Sequence, residues 1–511
     1  MNGWIIAPIL IPALAAPLLL LIRRAPNLQR QVSLAATALL CIAGIGVFLL
    51  AAEGAVLPYR LGDWPAPFGI VLVLDRLSGA MVLLSGILAS AVMLHAVSGW
   101  DEKGHHFHPL FHFQLMGING AFLTGDVFNL FVFFEVMLIA SYGLLLHGGG
   151  ARRLGAGFQY VAINLLGSTL FLFAVGIIYG VTGTLNMADL AEKVGRVAAG
   201  DVALLRTGAL LLFLVFALKA ALVPLHWWLP TAYAAAPAPV AALFAIMTKV
   251  GAYAIIRVFT LVFGADGGAA AFVAAPWIMP AALATLGIGA IGVLASRVFV
   301  DLVCFAIIWS MGSLLVAVSL FDVGGLTAAL YYTLHSTLIG GALFLLSDLI
   351  AARRGRWRDE LEPSPVMANS ALLGGLFFLA AIAMSGLPPL SGFIGKLMIL
   401  DATRSSEGVV WIWSIVLASS LVVIIGFSRA GTTLFWKCEA VEGTFEPQRA
   451  VARASVLPAA ILILATVFLS FAAGPTTRHL EALARQIMTP QIYIEAVLGS
   501  PTQAQQKTEA Q

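Results

Sequence analysis

Long apolar runs separated by short polar connections organise the whole chain. They lie near 4–22, 32–52, 77–98, 108–124, 126–147, 157–181, 202–232, 239–263, 270–296, 299–321, 325–350, 371–400, 409–428 and 455–474. About twenty residues of helix, rising 1.5 Å each, cross the roughly 30 Å hydrocarbon core of a bilayer. The pattern therefore predicts an all-α polytopic membrane protein with about fourteen transmembrane helices. The pairs 108–147 and 270–321 are the hardest to divide, and an even number of spans puts both termini on one side. The longest polar stretches, 184–201, 352–370 and 429–454, read as connections rather than as a soluble domain. Beyond Pro475, Leu480, Leu483, Ile487 and Met488 share one helical face, which predicts an interfacial helix ahead of a polar, disordered PTQAQQKTEAQ tail.

Two runs are interrupted in comparable ways. In LVFALKAALVPLHWWLP, Lys219 precedes Pro224; in FLAAIAMSGLPPLSGFIGKLMIL, Gly386, Pro388 and Pro389 precede Lys396. Proline removes an amide donor and clashes with the preceding turn, so each helix is expected to break inside the membrane. Matched broken helices in two halves point to an inverted-repeat transporter.

Composition sharpens the membrane reading: 60% of the 511 residues are hydrophobic and 10% charged, with mean hydropathy +0.98. Ordinary globular chains run about 45–50% apolar and about 25% charged. The loops after odd-numbered spans, with Arg23, Arg24, Arg152, Arg153, Arg353, Arg354 and others, hold about fifteen basic residues against about six on the other side. Odd loops are thus expected in the cytoplasm and both termini outside. The basic residues of MNGWIIAPILIPALAAPLLLLIRR follow its apolar segment, so it reads as an uncleaved first span. A net charge of +3 says little about partners. Cys41, Cys304 and Cys438 have no metal-ligand spacing, and there is no CxxC, nucleotide-binding glycine loop or HExxH. No metal, cofactor or hydrolytic site is expected, which leaves protons, ions and buried charges as the available chemistry.

Those charges are conspicuous. Glu135 lies about nine residues into DVFNLFVFFEVMLIASYGLLLH, where an ionised side chain costs roughly 2.5–3.5 kcal/mol. Lys219, Lys249, His335 and Lys396 occupy matching contexts. Lys249 and His335 each come about ten residues into a run, or about 15 Å, close to mid-membrane. Lys219 is central only if its span continues past Pro224; Lys396 comes late in its span, in the outer half. Burial disfavours the charged form of an amine or a carboxyl, and an opposite charge nearby restores it, so a Glu–Lys contact can gate a proton. Histidine exchanges protons readily near neutral pH. Each residue also has a structural alternative: Glu135 as a salt-bridge partner of Lys219, Lys249 as an interhelical bond, His335 as a satisfied core histidine, Lys396 snorkelling to the interface. Asp75, Asp126, Asp301, Asp348 and Asp401 fall near span ends and read as caps or interface residues; Arg257 either snorkels or pairs across the bundle.

The strings TGDVFNLFVFFEVMLIASYGL, LKAALVPLHWWLPTAYAAAPAPVAALFAIMTKVGAYAIIR and LHSTLIGGALFLLSDL resemble the antiporter-like membrane subunits of respiratory complex I, membrane hydrogenases and the multisubunit Mrp (Pha) cation/proton antiporters. The resemblance covers nearly the whole chain. Within that family the GDVFNLFVFFEVMLIASYGL string and Tyr233, where complex I subunits usually have histidine, are most similar to Mrp D-type subunits. It implies fourteen helices with two inverted five-helix repeats, over spans four to eight and nine to thirteen. The implied division is 1–107 for the N-terminal helices, 108–265 and 266–430 for the repeats, and 431–511 for the last helix and tail. By motif match Glu135 resembles the glutamate of the fifth span, Lys219 the lysine of the broken seventh and Lys249 that of the eighth. His335 likewise matches the histidine of the eleventh span and Lys396 the lysine of the broken twelfth. The tenth span departs: after Asp301 it carries Val303 and Cys304 where relatives often have a basic residue. The implied function is proton translocation in a hetero-oligomeric antiporter of a bacterial inner membrane, exchanging Na+ or K+ for protons without a cofactor. The rivals are the proton-pumping arm of a complex I-like NADH dehydrogenase or hydrogenase, and a scaffold whose charges only fix helix register.

Overall fold

The computed structural model describes residues 2–65, 67–437 and 453–499. Cys438, Arg449 and the PTQAQQKTEAQ tail lie outside the described residues. The first helices are α1 (Ala7–Leu21), α2 (Pro26–Ala52), α3 (Arg76–Ala96), α4 (Phe107–Leu123), α5 (Val127–Leu145), α6 (Ala151–Thr182) and α7 (Met187–Val194). The middle holds α8 (Val202–Lys219), α9 (Trp228–Ala235), α10 (Ala238–Phe244), α11 (Met247–Leu261), α12 (Ala275–Ala295), α13 (Phe299–Val318) and α14 (Val323–Arg353). The last are α15 (Ser370–Ser385), α16 (Ser391–Ala402), α17 (Val409–Gly431), α18 (Arg453–Phe471), α19 (Ala473–Ile487) and α20 (Pro490–Leu498).

Each of the apolar runs carries helix, yet among the described residues only 10 helices are individually long and apolar enough to cross a membrane, or up to 11 counting α18 with α19. The shortfall has a physical source. Helices α1, α4 and α15 are 15, 17 and 16 residues long, and the run 371–400 divides into α15 and α16. Run 202–232 divides too, α8 ending at Lys219, although α8 alone is long enough to count. The chain bends by 82° between α18 and α19, and α19 buries Leu480, Leu483 and Ile487 on one side. One element departs from all-α: an antiparallel hairpin, β1 (Leu57–Arg60) with β2 (Val71–Leu74), pairing Leu57 with Leu74. Strands of four residues are too short to stand out among apolar runs.

Burial is uneven across the bundle. Ala238–Leu261 is buried throughout, whereas α17 and its continuation are only 28% buried, so the α10–α11 segment forms the interior and α17 the rim. Glycines set two of the tightest contacts. A Cβ at Gly117 of α4 would strike the Met137 backbone of α5, and one at Gly120 would overlap the Phe133 ring. On α12, a Cβ at Gly289 would strike the Trp309 backbone of α13, and one at Gly292 would overlap the Phe305 ring. Each member of the second set lies the same number of positions beyond its counterpart. The adjoining connections match as well. Val127 N donates to Leu185 O and Met187 N to Gly125 O, both at 2.9 Å; Phe299 N donates to Asp359 O and Leu361 N to Arg297 O, both at 2.8 Å.

At one end of the bundle Arg257 pairs rather than snorkels. Its guanidinium donates to both Asp75 oxygens at 2.6 and 2.8 Å, Asp75 also accepts from Ser78 N to cap α3, and Tyr493 of α20 lies 5.3 Å from the guanidinium. Removing one partner strands a buried charge. Asp75→Asn is expected to cost about 3–5 kcal/mol, read as a lower thermal unfolding temperature of the detergent-purified protein; an unchanged melt would show the pair to be dispensable.

Candidate functional site

Glu135 sits midway along α5, half-buried, and accepts a hydrogen bond from Ser168 Oγ of α6. Lys219 is the last residue of α8, and its Nζ donates to Asn164 Oδ1 of α6 at 2.8 Å. Asn164 and Ser168 are four residues apart, hence on one face of α6. The expected direct Glu135–Lys219 pair is therefore not formed. Helix α6 lies between α5 and α8 and supplies a polar side chain to each charge. The two still act on each other electrostatically. Gly167 makes the close passage possible: a Cβ there would be 2.8 Å from Leu218 Cδ2.

After Lys219 the helix stops, and the freed backbone finds other partners. Trp228 Nε1 donates to Leu218 O at 3.1 Å, and Val223 N, beside Pro224, donates to Thr285 Oγ1 at 3.0 Å. Such satisfaction is what permits irregular backbone at membrane depth. Helix α11 presses onto this break, since a Cβ at Gly251 would be 2.6 Å from Ala220 N. Lys249 lies within one turn of that contact, two residues before Gly251 on the same helix. Lys249 is fully buried, and its Nζ has no hydrogen-bond partner among the described residues.

The second break carries the other two groups. Helix α15 ends at Ser385, Gly386 turns the chain with φ +72°, and α16 begins at Ser391 beyond Pro388 and Pro389. A Cβ at Gly386 would be 2.7 Å from Lys396 Cδ, so only glycine serves both the left-handed turn and the close approach. Lys396 Nζ donates to Ser385 O and, at 3.0 Å, to Ser420 Oγ, and it lies 4.0 Å from the centre of the Trp309 ring. An ammonium at a helix C-terminus meets its unsatisfied carbonyls. Lys396 is thus held inside the bundle rather than snorkelling. His335, fully buried on α14, shares a 2.9 Å hydrogen bond between Nδ1 and Ser391 Oγ, while Nε2 has no partner among the described residues. Both Lys249 and Lys396 act electrostatically on His335.

The five titratable side chains accordingly fall into two interacting groups, Glu135 with Lys219 and Lys249 and Lys396 with His335, joined by the packing of α11 on the end of α8. Buried polar atoms without partners usually hold ordered water, so the free Nζ of Lys249 and Nε2 of His335 mark where water would link the groups. Asn164, Ser168, Ser391, Ser420 and Trp309 were not anticipated. Asn164 and Ser168 had a readable signal, two polar residues one turn apart within an apolar run. Of the remaining acids, Asp126 caps α5 by accepting from Asn129 N at 2.7 Å, and the Asp401 side chain is 72% exposed. Asp348 caps no helix N-terminus; His95 Nε2 and Trp100 Nε1 each lie 2.8 Å from its Oδ2. No group of three or more His, Cys, Asp or Glu gathers to hold a metal among the described residues.

Comparison with known proteins places this arrangement. Residues 124–424 match the family model described as NADH:quinone oxidoreductase/Mrp antiporter, TM. The chain is 42% identical to the D-type subunit of the probable K(+)/H(+) antiporter of Rhizobium meliloti (strain 1021), over 98% of this chain and 99% of that one. It is 39% identical to the D-type subunit of the Na(+)/H(+) antiporter of Bacillus subtilis (strain 168), over 98% and 100%. Among solved structures, a chain of the Mrp complex from Dietzia sp. DQ12-45-1b matches with TM-score 0.88 at 28% identity, covering 98% of this chain and 100% of that one. A chain of respiratory complex I from Thermus thermophilus with bound NADH matches with TM-score 0.79 at 25% identity, over 97% and 100%. With a family match across more than half of its length and relatives this similar from end to end, the chain belongs to the NADH:quinone oxidoreductase/Mrp antiporter family of membrane subunits.

Proposed function

We propose that this chain is the proton-translocating D-type subunit of a multisubunit antiporter that exchanges Na+ or K+ for protons across a bacterial cytoplasmic membrane. The observation that carries this reading is the buried Lys219, Lys249, His335 and Lys396 series suspended between two helix breaks, with Glu135 at one end. Protons pass along the series, and Glu135 sets how firmly Lys219 holds its proton, acting electrostatically across α6 while Ser168 and Asn164 hold the two side chains in place. Moving one charge through 100 mV is worth about 2.3 kcal/mol, comparable to the cost of an uncompensated charge at the membrane centre, so the membrane potential can drive these steps.

The finer architecture belongs to the same proposal. Fourteen spans place both termini outside, with the arginine-rich loops in the cytoplasm. Two inverted repeats occupy 108–265 and 266–430, preceded by helices 1–107 and followed by the last helix and tail, 431–511. The matched glycine contacts of α4–α5 and α12–α13 and the matched hydrogen bonds of their connections support this division. In that register Ile307 stands where the first half has Glu135, so the carboxylate is a property of one half only.

The partners are the other subunits of the complex. Expression of the complete gene cluster is expected to rescue growth of a salt-sensitive strain, tested separately with Na+ and K+, and the purified complex is expected to contain neither flavin nor iron. Stoichiometric flavin or iron–sulfur clusters would assign the chain to an electron-driven pump instead.

A further inference from the structure

A half-open cavity of about 260 Å³ enters the bundle at the end that carries Arg152, Arg153 and Arg358. Asp348 lines it, and so do small residues of the α9–α10 segment, Ala235, Ala238 and Ala241 among them. The Asp348 side chain is 22% exposed. Its Oδ2 accepts from Trp100 Nε1 and shares a hydrogen bond with His95 Nε2, leaving Oδ1 without a hydrogen-bond partner among the described residues. His95 is 2% exposed, and its Nδ1 is buried with no partner, an arrangement that usually indicates ordered water. Inward from the cavity, α14 and α10 run together on small residues: a Cβ at Gly341 would be 3.7 Å from Ala242 O, and one at Gly340 would be 3.7 Å from Ala245 Cβ. That seam leads to His335 on α14, 13 positions before Asp348, and to Lys249 on α11, 8 positions after Ala241.

Resting on the antiporter reading, we propose that Asp348 and His95 form a proton-loading site at which water in this cavity supplies the buried series. In the tautomer with its proton on Nδ1, His95 accepts at Nε2 a proton taken up on Asp348 as the Nδ1 proton leaves inward; the pair regains its starting charge, and the imidazole then moves its proton from Nε2 back to Nδ1 before the next transfer. The charged and titratable groups around it come from every adjoining element: Lys103 beside Trp100, His147 hydrogen-bonded to Trp100 O, Arg353 on α14, and Arg152, Arg153, Arg358 and Asp359 around the cavity. Asp359 is occupied by Val300 N and Ser347 Oγ, which leaves Asp348 as the cavity acid hydrogen-bonded to a buried imidazole.

The test uses the whole complex in everted vesicles, where the arginine-rich face meets the external buffer. Asp348→Asn is expected to lower antiport about tenfold at neutral pH. It is also expected to change the shape of the rate-against-external-pH curve, because the group that takes up the proton from the external buffer is gone. Asp348→Glu should stay within about twofold of the unmodified rate. If Asp348→Asn does not assemble, His95→Gln, which keeps the carboxylate, carries the same test and should also slow antiport and change the curve. An assembled variant with the unmodified rate and curve overturns the loading site while leaving the antiporter reading in place; absence of antiport in the unmodified complex would instead remove the antiporter reading.

Discussion

Glu135→Gln, expressed with its partner subunits, is expected to lower antiport in everted vesicles about a hundredfold without loss of assembled complex. Glutamine matches glutamate in shape, and its amide oxygen still accepts the Ser168 hydrogen bond, so the α5–α6 packing has no reason to change. Only the charge goes. Lys219 then keeps its Asn164 contact but loses the carboxylate that acts on it electrostatically. An uncompensated charge at the membrane centre costs roughly 2.5–3.5 kcal/mol, and at 1.36 kcal/mol per factor of ten that corresponds to about two orders of magnitude in rate. The check is cation-induced dissipation of a proton gradient, normalised to complex content by immunoblot. Normal activity in the assembled variant would remove Glu135 from the mechanism.

Lys249→Met is expected to separate function from stability in the opposite way. Lys249 is fully buried and its Nζ makes no hydrogen bond among the described residues, so the amine ties no two helices together. Methionine fills similar volume and has no polar atom to solvate, so the substitution gives up water contacts and no bond between helices. The variant should assemble fully and unfold at a temperature no lower than the unmodified complex, yet show no antiport. A buried amine that ties no helices together is one under functional demand. If Lys249 served only to hold helices together, the same substitution would lower the melting temperature and leave turnover per assembled complex intact.

The positions of most helices and the presence of five titratable side chains inside the apolar runs were legible because both rest on local signals, apolar runs and charges that violate them. Lys219 ends its helix ahead of Pro224, and Gly386 turns the chain ahead of Lys396, as proline and glycine chemistry dictates. What was not legible depends on which elements meet. Glu135 and Lys219 suggested a direct pair from charge alone, but the path of α6 between α5 and α8 decides that Asn164 and Ser168 take those contacts. The Asp348 contact was hidden because its partner His95 is 253 positions away. Trp309 shows the same limit: the tenth run departs from the family pattern after Asp301, yet its tryptophan lies against the Lys396 ammonium. The hairpin was hidden for a different reason, its four-residue strands lacking room for a period to show.

The central claim, that cation movement drives protons along the buried series, is tested most directly by proton flux into proteoliposomes containing the purified multisubunit complex under an imposed Na+ or K+ gradient. Unmodified complex and the Lys249→Met variant would be reconstituted at equal protein. The account predicts cation-dependent proton flux with the unmodified complex and none above the protein-free background with the variant. Equal flux from the two would contradict it.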